Sequence, residues 1–183
     1  GGPVAVRAAR TAMADDEDHH FMFEDSFTIK SVDNSRFERA GRIDCQSVSF
    51  DNILELDINN VIYPVAPGDQ VYVAITDNVS AASQPRRLAN ALDHDPRILG
   101  RSIMDQFEYV CCGRVYKKDD HQQKEKKCMV FVSFGGLLMK LSSDSNQLKE
   151  FHLNDVVYLM MRKVQGELVD AKPRGREDTI LAG

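Results

Sequence analysis

The fold of this chain is decided by residues 130–141, which read Val-Phe-Val-Ser-Phe-Gly-Gly-Leu-Leu-Met-Lys-Leu. The side chains on each side of the glycine pair alternate with a period of two, which is typical of β-strands. Gly135 and Gly136 supply the positive φ that a two-residue hairpin turn needs. Ser133 and Lys140 are the only polar residues in the run, so we expect both faces of this hairpin to be covered, by the protein's own core or by a partner.

Alternating segments on both sides of the hairpin indicate one domain of β-strands. The chain has 183 residues and 43% apolar content, which predicts a soluble globular protein with a real core and no membrane span. Strand patterns fall into two halves, 27–76 and 106–162, within a barrel domain at 22–163. Residues 77–105 show neither the period of two of a strand nor the apolar stripe of a helix, and we expect a long inserted loop there. Residues 1–21 and 164–183 are polar and are expected to be tails, the first of them disordered.

A short internal sequence similarity, called here the echo, indicates how the two halves are arranged. Residues 68–73 read Gly-Asp-Gln-Val-Tyr-Val, and residues 154–159 read Asn-Asp-Val-Val-Tyr-Leu. In each copy a residue that tolerates positive φ and an aspartate precede a strand that ends one half of the domain. Two similar half-sheets that close on each other remove the exposed edges of short strands. The sequence therefore predicts an antiparallel β-barrel.

No arrangement in the sequence indicates catalysis, a bound metal or a cofactor. Ser133 lacks the flanking glycines of a nucleophile elbow. The histidines in predicted loops show no metal-ligand spacing: they are His94, His121 and His152. The four cysteines lack a C-x-x-C pair, and the two adjacent ones should point to opposite faces of a strand: Cys45, Cys111, Cys112 and Cys128. We expect free, mostly buried thiols in a reducing compartment.

A charged segment at 117–127 is the candidate for nucleic-acid contact. It carries five lysines, Lys117, Lys118, Lys124, Lys126 and Lys127, and a basic loop can follow a phosphate backbone. Asp119, Asp120 and Glu125 partly neutralise it, and the net charge of the chain is −5, so we expect a solvated loop and keep nucleic-acid contact as the alternative. The aromatic residues Phe107, Tyr109 and Phe131 could stack on bases, but we expect them to pack in the core instead.

Several segments, taken in order, resemble the small subunit shared by the eukaryotic nuclear RNA polymerases I, II and III, usually counted as the eighth. The resemblance spans roughly Met22–Lys163, with interruptions. It is carried by Phe23–Phe27, Phe37–Ile43, Leu56–Asn59, Ile62–Val65, Asp105–Val110, Gly113–Tyr116, Ser133–Leu141 and Tyr158–Lys163. The adjacent cysteines depart from the family, which more often has bulkier residues there.

The resemblance implies an all-β fold, an eight-stranded antiparallel barrel related to the oligonucleotide-binding fold and built from two similar halves. It also implies a structural and assembly subunit without catalytic activity of its own. Such a subunit docks on the largest polymerase subunit, in a complex whose active site lies on the large subunits. Its location is the nucleus, including the nucleolus.

We therefore predict that the hairpin contacts the largest polymerase subunit. The predicted contact residues are Phe134, Gly135, Gly136, Leu137, Leu138 and Met139, where the glycines permit close backbone approach. The alternative function is an autonomous barrel that binds single-stranded nucleic acid through the five lysines. An enzyme or small-ligand barrel would need a polar cavity, for which the sequence gives no reason.

Overall fold

Eight antiparallel strands make up nearly all the regular structure in the computed structural model, which describes residues 19–79, 102–120 and 126–164. A 3-10 helix at Ile103–Gln106 precedes the fifth strand. No helix in these three ranges is long and apolar enough to cross a membrane. The strands are β1 Phe23–Asp33, β2 Ala40–Ser47, β3 Ile53–Asn59, β4 Gln70–Thr76, β5 Tyr109–Asp120, β6 Lys127–Phe134, β7 Leu137–Asp144 and β8 Val156–Lys163.

The strands close into a barrel with the order β1-β2-β3-β7-β6-β5-β8-β4, and β4 pairs with β1. Because the barrel is closed, this order is cyclic. Exchanging each strand of the first half with its equivalent in the second, β1 with β5 and so on to β4 with β8, gives the same cyclic order read in the opposite direction. The barrel therefore has a pseudo-twofold axis relating two four-stranded halves. The predicted eight-stranded antiparallel barrel of two similar halves is confirmed.

The sequence echo marks equivalent turns in the two halves. Gly68 and Asn154 both adopt positive φ, +94° and +69°. Asp69 and Asp155 each accept a hydrogen bond from the backbone N–H three residues earlier, at 3.0 and 2.8 Å. The N–H groups of Gly68 and Asn154 then donate to carbonyls of the first strand in each half, β1 and β5, at 2.8 and 2.9 Å. Six similar residues thus build the same turn twice.

The strand directions divide the connections between two ends of the barrel. Residues 34–39, residues 60–69 and the turn at 135–136 lie at one end, called here the hairpin end. Residues 48–52 and 145–155 lie at the other, called here the far end. The pseudo-twofold axis exchanges the two ends, because equivalent strands run in opposite directions along the barrel.

The β6–β7 hairpin has the predicted register and turn. Val132 pairs with Met139 and Phe134 with Leu137, and the two glycines between them have φ of +62° and +102°. The inward face of both strands is buried in the barrel core. The outward face is only half-buried and includes the exposed Leu138, so the protein's own core covers one face of the hairpin.

Strand β8, by contrast, is covered on both faces. Its residues Leu159 and Met161 point into the barrel, whereas Tyr158 and Met160 point outward and belong to a second buried cluster. Both ends of the 77–105 segment contribute to that cluster, through Val79 and Ile103. The predicted loop is therefore partly ordered, with a short helix at its C-terminal end, while residues 80–101 lie outside the described ranges.

An aromatic and cationic stack also holds this segment on the barrel. The guanidinium carbon of Arg162 lies 4.9 Å from the ring centre of Tyr72 and 5.5 Å from that of Phe107. The two rings are stacked at 6.0 Å, and the Tyr72 hydroxyl donates to Glu24. Such contacts add to the apolar burial, so the residues just before β5 are fixed on the outer face of β4 and β8.

Replacing Gly113 tests how closely β5 and β6 pack. A Cβ there would lie 2.5 Å from the Ser133 carbonyl oxygen and 2.5 Å from the Phe134 ring. Because a backbone atom cannot move aside locally, Gly113→Ala should lower the free energy of unfolding by about 1–3 kcal/mol, measured by urea denaturation. Gly41→Ala is the control and should cost less, since its closest obstacle is the exposed side chain of Asn34, which can turn away with the loss of one surface hydrogen bond from Asn60. An equal cost for the two substitutions would contradict this account of Gly113.

Candidate interaction surface

The six predicted contact residues fall into an exposed group and a buried group. Gly135 and Gly136 are exposed at the tip of the hairpin, Leu138 is 38% exposed and Leu137 is half-buried. Phe134 and Met139 are buried in the main core. The turn and Leu138 are therefore available to a partner, whereas the two core side chains can only support them from beneath.

Asp57 fixes the position of Leu138 at the hairpin end. Backbone pairing between β3 and β7 covers only Ile53 to Leu56. At the next position the Asp57 side chain replaces the ladder, because its Oδ2 accepts the Leu138 N–H at 3.1 Å. Arg42 holds the same carboxylate through two hydrogen bonds of 2.7 and 3.1 Å. This bidentate geometry is the strong form of the arginine–carboxylate interaction.

The electrostatics of Asp57 follow from its burial and its partners. Burial alone would raise the pKa of this carboxyl, but the hydrogen bonds from Arg42 and Leu138 and the charge of Arg42 outweigh that effect and hold the pKa below its usual range. The hydrogen bond to Asp57 and the negative charges of Asp57, Glu55 and Asp44 in turn raise the pKa of Arg42. The pair is thus ionised at neutral pH and ties β2, β3 and β7 together beneath Leu138.

Two loops at the hairpin end carry large exposed apolar side chains. Phe37, Val61 and Ile62 are 61%, 65% and 69% exposed. Asn60 donates to the Asn34 side chain at 2.7 Å and joins the two loops, and the Asn59 carboxamide oxygen accepts the N–H groups of residues 61 and 62 at 3.1 and 3.3 Å. We call these side chains, together with the exposed hairpin residues, the apolar rim: Phe37, Val61, Ile62, Gly135, Gly136 and Leu138.

The sequence reasoning did not assign the loop part of the apolar rim as a contact surface. Its signal was an adjacent pair of apolar residues after a strand, at Val61-Ile62, where strict alternation had just ended at Asn59-Asn60. Apolar side chains in a polar turn are not buried by their neighbours in sequence. This departure from the strand pattern is visible in the sequence. Their location at the same end of the barrel as the glycine turn depends on strand direction, which one sequence does not show.

The lysines predicted for nucleic-acid contact are not on one loop. β5 extends to Asp120 and β6 begins at Lys127, so the predicted continuous loop at 117–127 is wrong. Lys117 lies 2.9 Å from the Asp119 carboxylate and 5.0 Å from the Phe131 ring centre, and Lys118 donates to two backbone carbonyls of the 145–155 connection at 3.0 Å each. Cross-strand pairing with apolar β6 overrode the charge pattern.

The remaining lysines lie apart from that pair. Lys126 and Lys127 are exposed at the far end, and Lys124 lies outside the described residues. Lys117 is engaged on the outer surface and Lys118 by the 145–155 connection, so among the described lysines of this set only Lys126 and Lys127 are exposed without an ion-pair partner. The basic surface is accordingly smaller than the sequence suggested.

The aromatic residues considered for base stacking pack within the protein. Tyr109 is buried, stacks on Tyr63 with ring centres 5.2 Å apart, and accepts the Asn59 N–H at 3.2 Å. Phe107 stacks on Tyr72, and Phe131 is half-buried against Tyr116. Packing therefore accounts for all three predicted aromatics.

The cysteines are free thiols, and adjacent ones do point to opposite faces. Cys111 packs against the barrel core and Cys112 against the outer cluster. Burial raises the pKa of the Cys45 thiol to about 12, so this thiol is protonated at neutral pH. Among residues 19–79, 102–120 and 126–164, no three His, Cys, Asp or Glu side chains form a group able to hold a metal ion.

Comparison with known proteins gives one family and several relatives. The model of the family RNA polymerase Rpb8 matches residues 24–163. A Caenorhabditis elegans protein, named probable DNA-directed RNA polymerases I, II, and III subunit RPABC3, is 35% identical over 146 residues, which cover 78% of this chain and 95% of that protein. The Saccharomyces cerevisiae protein named DNA-directed RNA polymerases I, II, and III subunit RPABC3 is 31% identical over 145 residues, covering 78% and 97%.

A plant relative carries a different set of polymerases in its name. The Arabidopsis thaliana protein named DNA-directed RNA polymerases II, IV and V subunit 8B is 30% identical over 145 residues, which cover 78% of this chain and 96% of that protein. The similarity in each case spans nearly the whole relative, and the range matched by the family model, 24–163, coincides with the barrel.

Replacing Asp57 tests its place at the centre of this surface. Asp57→Asn should lower the free energy of unfolding at pH 7 by about 1.5–3 kcal/mol, the usual range for hydrogen bonds to charged groups. Because the pKa of Asp57 is lower in the folded chain, its stabilisation is present above the unfolded value of 3.8 and is lost as the pH falls through the folded pKa. Urea denaturation should show that the free energy of unfolding differs less between the wild type and Asp57→Asn at pH 3 than at pH 7.

The matched control for that prediction is Asp44→Asn on the neighbouring strand. Asp44 is exposed and accepts one hydrogen bond, from Ser31 at 2.6 Å. Its replacement should change the free energy of unfolding by no more than about 0.5 kcal/mol. If Asp57→Asn proved equally mild at pH 7, the carboxylate would not be what joins the strands.

Proposed function

The chain belongs to the Rpb8 family of RNA polymerase subunits, and on that basis we propose that it is a structural subunit of the nuclear DNA-directed RNA polymerases I, II and III. The observation that carries the proposal is the extent of the family match, which includes every strand of the barrel except the first residue of β1. Relatives that are 30–35% identical and matched over 95% or more of their length are named as polymerase subunits. A subunit of these enzymes works in the nucleus, including the nucleolus.

The chain contributes structure to the polymerase and leaves catalysis to the large subunits. Support comes from the interior of the barrel, which is filled with fully buried apolar side chains such as Phe27, Leu56 and Leu159. A filled interior serves stability and leaves the outer surface for recognition. We propose that the polymerase active site lies on the large subunits, and the filled interior of this barrel is consistent with a structural role.

The apolar rim is the surface that docks on the largest polymerase subunit. Exposed Phe37, Val61, Ile62 and Leu138 provide apolar area, and buried apolar anchors supply most of the energy of protein interfaces. Gly135 and Gly136 lack side chains and let a partner backbone approach. The hydrogen bonds of Asn59, Asn60 and Asp57 hold these groups in position before binding, which lowers the entropic cost of association.

An autonomous barrel that binds single-stranded nucleic acid is the second candidate. Lys126 and Lys127 favour it, since both ammonium groups are exposed on one side of the far end. The net charge of −5 and the internal contacts of Lys117 and Lys118 weigh against it. A phosphate-tracking site would lose affinity steeply as salt increases.

Affinity purification of the tagged full chain from nuclear extract tests the proposed function. We expect the largest subunits of polymerases I, II and III among the recovered proteins. Leu138→Glu should lower their recovery at least about tenfold, which corresponds to a loss of 1.4 kcal/mol, because the partner would have to bury a charge. Leu138 is partly exposed, so this substitution should leave the urea denaturation midpoint near that of the wild type.

The matched control is Leu153→Glu, which introduces the same charge on an exposed leucine at the far end. It should leave recovery of the large subunits unchanged. Equal recovery with Leu138→Glu and wild type would exclude the apolar rim as the docking surface, and failure of every variant and wild type to recover the large subunits would overturn the proposed function itself.

Titration of the chain with a fluorescent single-stranded oligonucleotide tests the second candidate. We expect no binding at 50 mM salt, or binding that does not change with salt, because two lysines offer too few phosphate contacts. Affinity that falls by orders of magnitude between about 50 and 200 mM salt, and that is lost with Lys126→Glu and Lys127→Glu together, would favour nucleic-acid binding.

A further inference from the structure

Arg162 differs from the other arginines of the described structure in its partners. Only Arg42 and Arg162 are half-buried among the described arginines. Arg42 is paired with the Asp57 carboxylate through two hydrogen bonds. Within the part of the chain that the structure describes, the Arg162 guanidinium has neither a hydrogen-bond acceptor nor an ion-pair partner. A half-buried guanidinium without an oxygen acceptor is a candidate for binding an external one.

Two aromatic rings fix this guanidinium on the outer wall of the barrel. Its carbon atom lies 4.9 Å from the ring centre of Tyr72 and 5.5 Å from that of Phe107, and the Tyr72 hydroxyl donates to Glu24. We call Arg162, Tyr72 and Phe107 the Arg162 stack. A ring face attracts the positive charge but offers no oxygen to the N–H groups. The donors of Arg162 are therefore held in position for a ligand.

The Arg162 stack is continuous with an apolar surface. Tyr72 and Phe107 belong to the outer cluster, whose other half-buried apolar members are Phe21, Met104, Val110 and Cys112. Their partial exposure leaves apolar area beside a cation. Aromatic residues, methionine and arginine are the residue types enriched in protein interfaces, and tyrosine and arginine are frequent among the residues that contribute most to binding. The surface thus has the composition of a protein contact.

The nearby charges favour a carboxylate as the ligand over a phosphate. Glu24 contacts Tyr72 and adds a negative charge beside the stack. Lys163, the next residue of β8, has its ammonium 3.5 Å from the Asp69 carboxylate and so supplies no second uncommitted cation. A phosphate group carries a charge of about −1.5 to −2 at pH 7, which one guanidinium beside a glutamate does not balance. A carboxylate carries a single charge, and its two oxygens match the guanidinium fork.

We propose that the Arg162 stack binds an acidic side chain of a partner protein, with the carboxylate on the guanidinium and neighbouring apolar side chains of the partner on the outer cluster. The rings have already removed part of the water around Arg162, which reduces the desolvation cost of the ion pair. Burial by the partner then strengthens the attraction, because the local dielectric falls. This contact goes beyond docking through the apolar rim, since the cyclic strand order places β5 between β8 and the β6–β7 hairpin.

Titration of the full chain with a short acidic peptide tests the proposal. The probe is acetyl-Leu-Glu-Leu-amide, and the matched control is acetyl-Leu-Gln-Leu-amide, in which an amide replaces the carboxylate. Nitrogen-15 NMR of the arginine Nε–H groups reports the contact, and loss of one signal in Arg162→Lys assigns Arg162. We expect a saturable shift of that signal with the glutamate peptide, and binding of the glutamine peptide that is at least about tenfold weaker. Arg39, which is exposed, should show no saturable shift.

Substitutions of Arg162 separate its charge from its geometry, with the Phe107 backbone N–H as the NMR reporter. Arg162→Gln should abolish the response to the glutamate peptide. Arg162→Lys should weaken binding about tenfold, because an ammonium keeps the charge over the rings but loses the bidentate fork. Arg162→Lys retains a cation beside the two rings, so its urea denaturation midpoint should stay near that of the wild type. The matched control, Arg39→Gln, should leave the affinity unchanged.

Zero-length crosslinking identifies the partner carboxylate in the assembled complex. Arg162→Lys places a primary amine at the stack, and a carbodiimide joins an amine only to a carboxylate that touches it. In the complex recovered with the tagged full chain, we expect the amine at position 162 to be joined to an aspartate or glutamate of another protein. Peptide mapping separates this product from any at Lys163. Arg39→Lys is the matched control and should give no such product at position 39.

Three results would overturn the proposal. Equal affinity for the glutamate and glutamine peptides, or no saturable shift with either, would show that the stack does not bind a carboxylate. A shift of the Arg162 signal by inorganic phosphate at lower concentration than by the glutamate peptide would assign a phosphate ligand instead. A crosslink from position 162 only to a carboxylate of the same chain would show that the surface is covered internally. The peptide titration involves no polymerase, so its outcome is independent of the proposed function.

Discussion

The structure depends on closing eight strands without leaving a free edge. Each half has four strands and must join the other along two seams, β3 with β7 and β4 with β8. The β4–β8 seam is paired from Val71 to Thr76, whereas the β3–β7 seam is paired only from Ile53 to Leu56. The ionised Asp57 side chain extends the shorter seam by accepting the Leu138 N–H. An open seam would expose strand edges to aggregation, so this buried carboxylate completes the closure.

The same carboxylate connects closure to recognition. Asp57 lies where β3 and β7 separate, and the separation frees the hairpin turn and Leu138 to stand at the end of the barrel. Arg42 supplies the compensating charge, without which a buried carboxylate would be costly. The groups that seal the barrel therefore also hold Leu138 of the apolar rim, and we expect a change at Asp57 to affect both stability and the proposed docking surface.

The sequence predicted those elements whose pattern is local. The period of two located the hairpin, and the echo at Gly68-Asp69 and Asn154-Asp155 predicted two halves that the structure shows to share the same turn. Strand number came from the family resemblance. The charged 117–127 segment was misjudged because the charges of Lys117 and Lys118 are satisfied by residues distant in sequence, including the 145–155 connection. Likewise, alternation alone could not show that Phe134 and Met139 face the core while Leu138 faces outward.

The two ends of the barrel offer different surfaces because connections related by the pseudo-twofold axis differ in length. The axis relates the β6–β7 turn, two glycines long, to the β2–β3 connection at 48–52, which carries the exposed Phe50 and the buried Asn52. A short turn exposes backbone and brings flanking apolar residues together, whereas a five-residue loop stands away from its neighbours and opens a cleft. Because the axis exchanges the ends, these surfaces point in opposite directions. The proposed docking surface at the apolar rim and the loop at 48–52 therefore face away from each other.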